Sequence, residues 1–318
     1  MKTIICENKA RTRLLSFTAL ALVAASGSST ARASVISANS DAYALGLYAE
    51  VANTLLNVNV TAPAGVIGAA PSPYNINQSI GQADIDLAAN SASFGLLDVQ
   101  LAALADSSIF SASAQSDVDG SAGNKSVSAD ATISNLGLDL FNTSLFSGPT
   151  EAALGLSAST IYSQAGVSGD HGTMAADAIS YIENFSLNLF GLGEIDLVSL
   201  GLVADANGFI YADPNFTVLD VNGITGLDLV LNEQISTCSA SQCNSEVNAL
   251  KLRFDGVNIG GLGLDLGNFL DGTLDGEIIL GHAYANLNAQ VNTVPAPASV
   301  GLFGAVLLLL GCLRRPGR

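Results

Sequence analysis

The chain has 318 residues, with 28 acidic side chains against 11 Lys and Arg, two histidines, four cysteines and no tryptophan; its formal charge is −17. Only Lys125, Lys251 and Arg253 lie between residues 34 and 294, against 27 of the 28 Asp and Glu, a net of −24 for that stretch. A body this acidic is repelled by nucleic acid phosphates and by anionic lipid, which excludes both as direct partners. Hydrophobic residues make up 49% of the chain, enough Leu, Ile and Val to bury a sizeable core despite the low charge content.

Residues 1–33 read as a secretory signal. Lys2, Lys9, Arg11 and Arg13 form the basic start, and Leu14-Leu-Ser-Phe-Thr-Ala-Leu-Ala-Leu-Val-Ala-Ala25 is the apolar run. Ala31 and Ala33 supply small residues for a signal peptidase cutting before Ser34. The alternative, an uncleaved membrane helix, meets a run of about a dozen apolar residues where about 20 are needed to span a bilayer.

From Ser34 on, short apolar alternation is broken by Gly, Asn, Asp and Pro. Ala83-Asp-Ile-Asp-Leu87, Ser186-Leu-Asn-Leu-Phe190, Gly226-Leu-Asp-Leu-Val-Leu231 and Ala249-Leu-Lys-Leu-Arg-Phe254 place a large apolar residue at every second position. That period buries one face of a strand and leaves the other in water. Residues 202–212 predict a hairpin with Asn207-Gly208 as a two-residue type I′ turn, both with positive φ. Residues 41–56 and 149–156 are expected as short helices, 61–79 as a connecting loop, and 107–130 as exposed strands or a loop. Ala129-Asp-Ala-Thr-Ile-Ser-Asn-Leu-Gly-Leu-Asp-Leu-Phe141 is echoed by residues 176–190, without a gap from Ile133 and Ile182 onward. Two copies fit either repeat units or two equivalent strands of a sandwich. No long linker divides residues 34–293, so the expectation is mainly β: a single antiparallel β-sandwich-like domain between two terminal segments.

Cys6 and Cys312 fall in those segments, leaving Cys238-Ser-Ala-Ser-Gln-Cys243 in the body. In an oxidising compartment the pair is expected as a disulfide pinning a loop; a redox pair or half a metal site are the alternatives. Asp170-His171 does not form an acid–base dyad on an extended chain, because neighbouring side chains point to opposite faces. His282 reads as packing or exposure in an apolar strand. No nucleophile elbow, zinc helix or phosphate loop occurs, so no catalytic, cofactor or metal residue is assigned. Gly260-Gly-Leu-Gly-Leu-Asp-Leu-Gly-Asn268 resembles the calcium-binding nonapeptide of toxin-type β-rolls, with Asp271, Asp275 and Glu277 nearby. It departs from that pattern at Gly267 and does not repeat. Calcium is therefore the one small ligand raised, with glycine turns between strands as the alternative.

The last segment, residues 294–318, has three parts: a stiff Pro295-Ala-Pro297, an apolar run over 299–313, and a basic end at Arg314, Arg315 and Arg318. Their order and spacing resemble the PEP-CTERM sorting signal of exopolysaccharide-producing Gram-negative bacteria, with Ala296 where the commonest version has Glu. The body is similar in texture to the "choice-of-anchor" extracellular domains joined to such tails. The resemblance implies export, a transient inner-membrane helix, recognition by an exosortase-type enzyme, and release to the cell surface or matrix. A permanent anchor would need a longer span than 15 residues, and a lipid-anchor signal would end apolar rather than basic. The function expected is a non-enzymatic surface or biofilm-matrix protein amid extracellular polysaccharide; the alternative is a calcium- or glycan-binding module.

Overall fold

The computed structural model describes residues 32–51, 56–61, 65–86, 90–94, 97–101, 104–145, 151–189, 194–258 and 273–292. Val35–Ala289 forms one compact unit, and nearly everything described lies within it. The signal segment through Ala31, the glycine-rich stretch 260–268, Asp271 and the tail carrying Pro295, Pro297, Arg314 and Arg315 lie outside the described residues. Ala33 is the second residue of the first strand.

The described chain is mainly β, as the alternation predicts, with every strand pair whose register is described antiparallel. One sheet contains β1 (Arg32–Val51), β2 (Leu56–Thr61), β3 (Gly65–Ala69), β14 (Phe216–Val218), β15 (Leu227–Cys238), β16 (Gln242–Asn258) and β17 (Thr273–Asn292). Its order is β14-β15-β16-β17-β1-β2, with β3 also on β1.

The other sheet is built on β8 (Lys125–Leu145) and β9 (Glu151–Gly169). Beyond β9 lie β10 (Ala175–Glu183) and β11 (Ser186–Leu189), followed by β13 (Phe209–Ile210) on β10 and β12 (Glu194–Asp196) on β11. Beyond β8 lie β7 (Leu104–Ser116) and β6 (Leu97–Leu101), which pair outward with β4 (Tyr74–Asp86) and β5 (Asn90–Phe94).

The inner faces of both sheets merge in one core, a β-sandwich-like arrangement. Side chains of the first sheet also bond the second: Ser245 Oγ donates to the Asp177 carbonyl at 2.8 Å, and Ser180 Oγ to Asn232 Oδ1 at 2.9 Å. These bonds run along the β10 edge, where β13 pairs only with Ile182 and Glu183. The first of them occupies a backbone acceptor that would otherwise help template another strand.

Long strands of both sheets share an interruption of their alternation. In β8 the buried residues are Val127, Ala129, Ala131 and Ile133, then Leu136 and Leu138. In β9 they are Leu154, Leu156 and Ala158, then Ile161, Ala165 and Val167. The change in β8 falls on Asn135, with φ 52°, and between β10 and β11 it falls on Asn184, with φ 50°. Left-handed backbone is costly for most residues but tolerated by Asn, whose short side chain bonds locally; Asn184 Nδ2 donates to Ser159 Oγ at 3.0 Å. Pairing continues through the interruption, with Ser134 opposite Thr160 and Leu136 opposite Ala158. The other sheet does the same at Asn232, φ 51°, and Gly281, φ 66°. A Cβ at Gly281 would meet Ala249 Cβ at 3.2 Å and, across the core, Ile161 Cγ2 at 3.3 Å.

This row explains the echo between residues 129–141 and 176–190. Both segments flank β9, one on each side, and the shared Asn135 and Asn184 turn the strand at the same level. Two equivalent strands of a sandwich, and not repeat units, produce the similarity.

The row also accounts for a misreading. Residues 41–51 belong to β1 and are not helical, and Glu151–Gly169 is β9, so the helix expected over 149–156 is also a strand through its described part. In β1 the buried series Ala42, Ala44 passes to Leu45, Leu47, placing Ala42 and Leu45 three apart, a helical spacing produced by a strand changing faces. Residues 61–79 are not one loop, since they contain β3 and the start of β4. Within 107–130 only residues 117–124 lack a strand, and Phe110, Ala112 and Ala114 are core, not exposed. The hairpin at 202–212 has shrunk to an isolated Ala204–Ile210 bridge and β13. Its turn has positive φ at Gly208 alone, and Asp205 Oδ1 accepts from the amides of Asn207 and Phe209. A type I turn closing on a left-handed glycine replaces the type I′ turn.

Replacing Asn135 by valine, which a left-handed backbone disfavours, is expected to cost about 1–2 kcal/mol more than replacing it by glycine. Urea unfolding of the two variants measures the difference; equal stabilities would contradict the assignment of a backbone role.

Candidate functional site

With the inner faces filled, polar chemistry collects on the outer faces and at the tips. Cys238 and Cys243 sit opposite each other where β15 turns into β16, Cα atoms 4.0 Å apart, and form a disulfide. The disulfide closes the loop that Ser239 organises by accepting from the amides of Ser241 and Gln242. The Ala240 carbonyl in that loop accepts from the Gly172 amide at 2.8 Å, tying it to the β9–β10 turn. His171 lies in that turn, where Asp170 Oδ1 accepts from its backbone amide at 2.7 Å, so the carboxylate serves the backbone and not the imidazole.

His282 is where the sequence reading was thinnest. It is only 8% exposed, yet it projects from the outer face of β17 into a polar group drawn from four strands. Glu233, Asn248 and His282 are direct cross-strand neighbours on β15, β16 and β17. Asn248 Nδ2 donates to Glu233 Oε2 at 2.6 Å, which leaves Asn248 Oδ1 to accept from His282 Nδ1 at 2.7 Å. His282 Nε2 then faces Asp41 Oδ2 at 3.6 Å, while Tyr43 stacks on the ring with centroids 4.3 Å apart. Lys251 Nζ lies 3.6 Å from Glu233 and 3.2 Å from Glu277. Burial, reinforced by Glu277 and Asp41, drives the Tyr43 phenol far above its ordinary range. The hydrogen bonds and the stacked ring join these side chains into one polar cluster across four strands.

The second outer face carries aromatics. Tyr162 on β9 and Tyr181 on β10 are paired residues with rings stacked 4.9 Å apart; Tyr181 also meets Phe209 edge-on at 4.8 Å and Tyr211 at 5.7 Å. Glu183 Oε2 accepts from Thr160 Oγ1 at 2.9 Å, and Asp130 accepts from Ser113. Burial, with Asp130 nearby, pushes the Tyr162 phenol up to about 12.

A wide cleft of about 520 Å³ runs beside Pro73, Tyr74, Asn75, Gln115, Ser116, Asp117 and Ser126. Its polar groups serve the loop: Asp117 Oδ1 accepts from the Ser126 amide and Ser116 Oγ from the Val118 amide. Asp275 and Glu277, raised as calcium neighbours, are occupied in β17 by the Gly256 amide and by Lys251. Among the described residues, no group of three His, Cys, Asp or Glu is placed to hold a metal, and no helix is long and apolar enough to cross a membrane.

Sequence reasoning missed Asp41, Tyr43, Glu233 and Asn248, which are far apart in the chain and meet only through strand order. It missed the tyrosines as well: Thr132 and Tyr181 flank Tyr162 from opposite sides, a juxtaposition set by strand register. Compared with family models, curated proteins and solved structures, the chain has no match.

The raised tyrosines carry a pH dependence. A phenol whose folded pKa exceeds its unfolded value stabilises the fold below the unfolded value, here 10.0, and that stability is lost as pH rises through the folded value. The protein is therefore expected to unfold between pH 10.0 and about 12, with phenolate absorbance and loss of β circular dichroism rising together. Complete phenol titration near 10.0 with the dichroism unchanged would contradict the burial of Tyr43 and Tyr162.

Proposed function

We propose that the chain is an exported, non-enzymatic surface or extracellular-matrix protein, sorted by an exosortase-type system. The observation that carries the reading is the order of the tail: Pro295 and Pro297, an apolar run, then Arg314 and Arg315, on a chain that opens with a secretory signal. The fold supports it in two ways. The Cys238–Cys243 disulfide suits an oxidising compartment, where such bonds persist. The body invests its apolar residues in one two-sheet core and its acidic residues on the outside, the character of a solvated module that resists association with anionic surfaces.

In this reading residues 1–33 are removed by signal peptidase at Ala31-Arg-Ala33, and residues 34–293 fold outside the inner membrane. The 299–313 segment holds the chain in that membrane until the sorting enzyme acts near Pro295 and Pro297. The mature protein then resides at the cell surface or in the polysaccharide matrix of a Gram-negative bacterium. Calcium binding keeps its one sequence candidate at residues 260–268.

Expressing the chain with and without residues 294–318 in an exosortase-bearing host and fractionating the cells tests this directly. The full chain is expected to pass from inner membrane to surface or medium with a drop in mass, and the truncated chain to remain periplasmic. Identical location and identical mature mass for the two would overturn the proposal.

A further inference from the structure

The outer face of the β8–β9 sheet is a ladder of short polar side chains ending in aromatics. One cross-strand row runs Ser79, Ser111, Thr132, Tyr162, Tyr181 on β4, β7, β8, β9 and β10. The row beside it runs Asn77, Ser113, Asp130, Gln164, Ile179 on the same five strands. At the β10 end Tyr181 meets Phe209 and Tyr211, the latter 50% exposed. Neither row contains Lys or Arg.

We infer that this face binds a neutral pyranose polymer, its sugars lying along the polar rows and packing against the Tyr181–Phe209–Tyr211 group. A pyranose presents C–H groups that pack on an aromatic face, whose π-cloud is negative, and ring hydroxyls that both donate and accept hydrogen bonds. The face supplies both kinds of contact. Asp130 and Glu183 are each already oriented by one hydroxyl, from Ser113 and Thr160. A carboxylate has about four lone-pair sites, so each keeps acceptor capacity for sugar hydroxyls. Tyrosine and phenylalanine lose little rotamer freedom on contact, and the antiparallel ladder beneath holds the rows in place, so little ordering cost is added.

Charge selects within the class. With carboxylates on the face and a body at −24, an anionic polysaccharide or a nucleic acid is repelled. A protein partner would want a contiguous apolar patch, whereas these rows are hydroxyl, amide and carboxylate until the β10 end, where Ile179 and the aromatics lie. The inference stands on this face alone and is independent of the sorting reading: a chain kept in the cytoplasm of a laboratory host has the same face.

Native gel electrophoresis of the purified full chain through gels cast with a soluble glucan, a mannan, a galactan or the anionic polymer alginate tests it. At least one neutral polymer is expected to retard the protein and alginate not to. The double variant Tyr181→Ala/Tyr211→Ala is expected to bind that polymer about tenfold more weakly, a loss of roughly 1.4 kcal/mol. Tyr211→Ala alone, at a half-exposed position that leaves the fold intact, is expected to weaken binding with an unchanged Tm. Three results would overturn the inference: no retardation by any neutral polymer, retardation by alginate alone, or retardation unchanged in both variants.

Discussion

The constraint on which the structure depends is the level of left-handed backbone crossing each sheet. Asn135 and Asn184 lie on it in one sheet and Asn232 and Gly281 in the other. At that level each strand exchanges its inward and outward faces, so its neighbours must do the same or bury the wrong side chains. Strands of 17–21 residues such as β8, β9, β16 and β17 present mostly apolar residues to the core on both sides of that level because the exchange is shared. The core is also close there. Gly281 stands against Ile161 of the opposite sheet with no room for a further carbon, and the bond between Ser180 and Asn232 crosses between the sheets at the same place. Small residues such as Ala112, Ala131, Ala249 and Ala283 are what such an approach requires.

That constraint decides what was legible in the sequence. Stretches with an undisturbed period of two were plain: Leu227, Leu229 and Leu231 are buried, as are Leu250, Leu252 and Phe254. Where the period breaks, the pattern resembled something else, and the run from Ala42 to Leu47 took on a helical spacing. Glycine, proline and serine suggested a loop over 61–79 and exposed strands or a loop over 107–130; the latter is strand except at 117–124, with alanine and phenylalanine at the inner positions of β7. The echo held the key to the exchange, since its invariant asparagine is the left-handed residue itself. Seeing this required knowing that the two copies flank one strand.

The outer faces were less legible for a different reason. The His282 cluster joins Asp41, Glu233, Asn248 and His282, and the aromatic group joins Tyr162, Tyr181, Phe209 and Tyr211. Each set is assembled by register and strand order, which no local pattern encodes. The cysteine pair, by contrast, was legible because its separation of five residues and its hairpin are the same local fact.

The chain thus divides its labour by position. In the proposed reading the ends carry an address; the inner faces supply the stability, and the outer faces carry polar and aromatic rows. The account's central claim is that this body is delivered outside the inner membrane and freed of both terminal segments. Intact mass spectrometry of the protein recovered from the surface or medium of an exosortase-bearing host measures this most directly. The account predicts a chain beginning at Ser34, ending near Pro295–Pro297, and two hydrogens lighter than its sequence because Cys238 and Cys243 are joined. A mass matching all 318 residues, with both cysteines reduced, would contradict it.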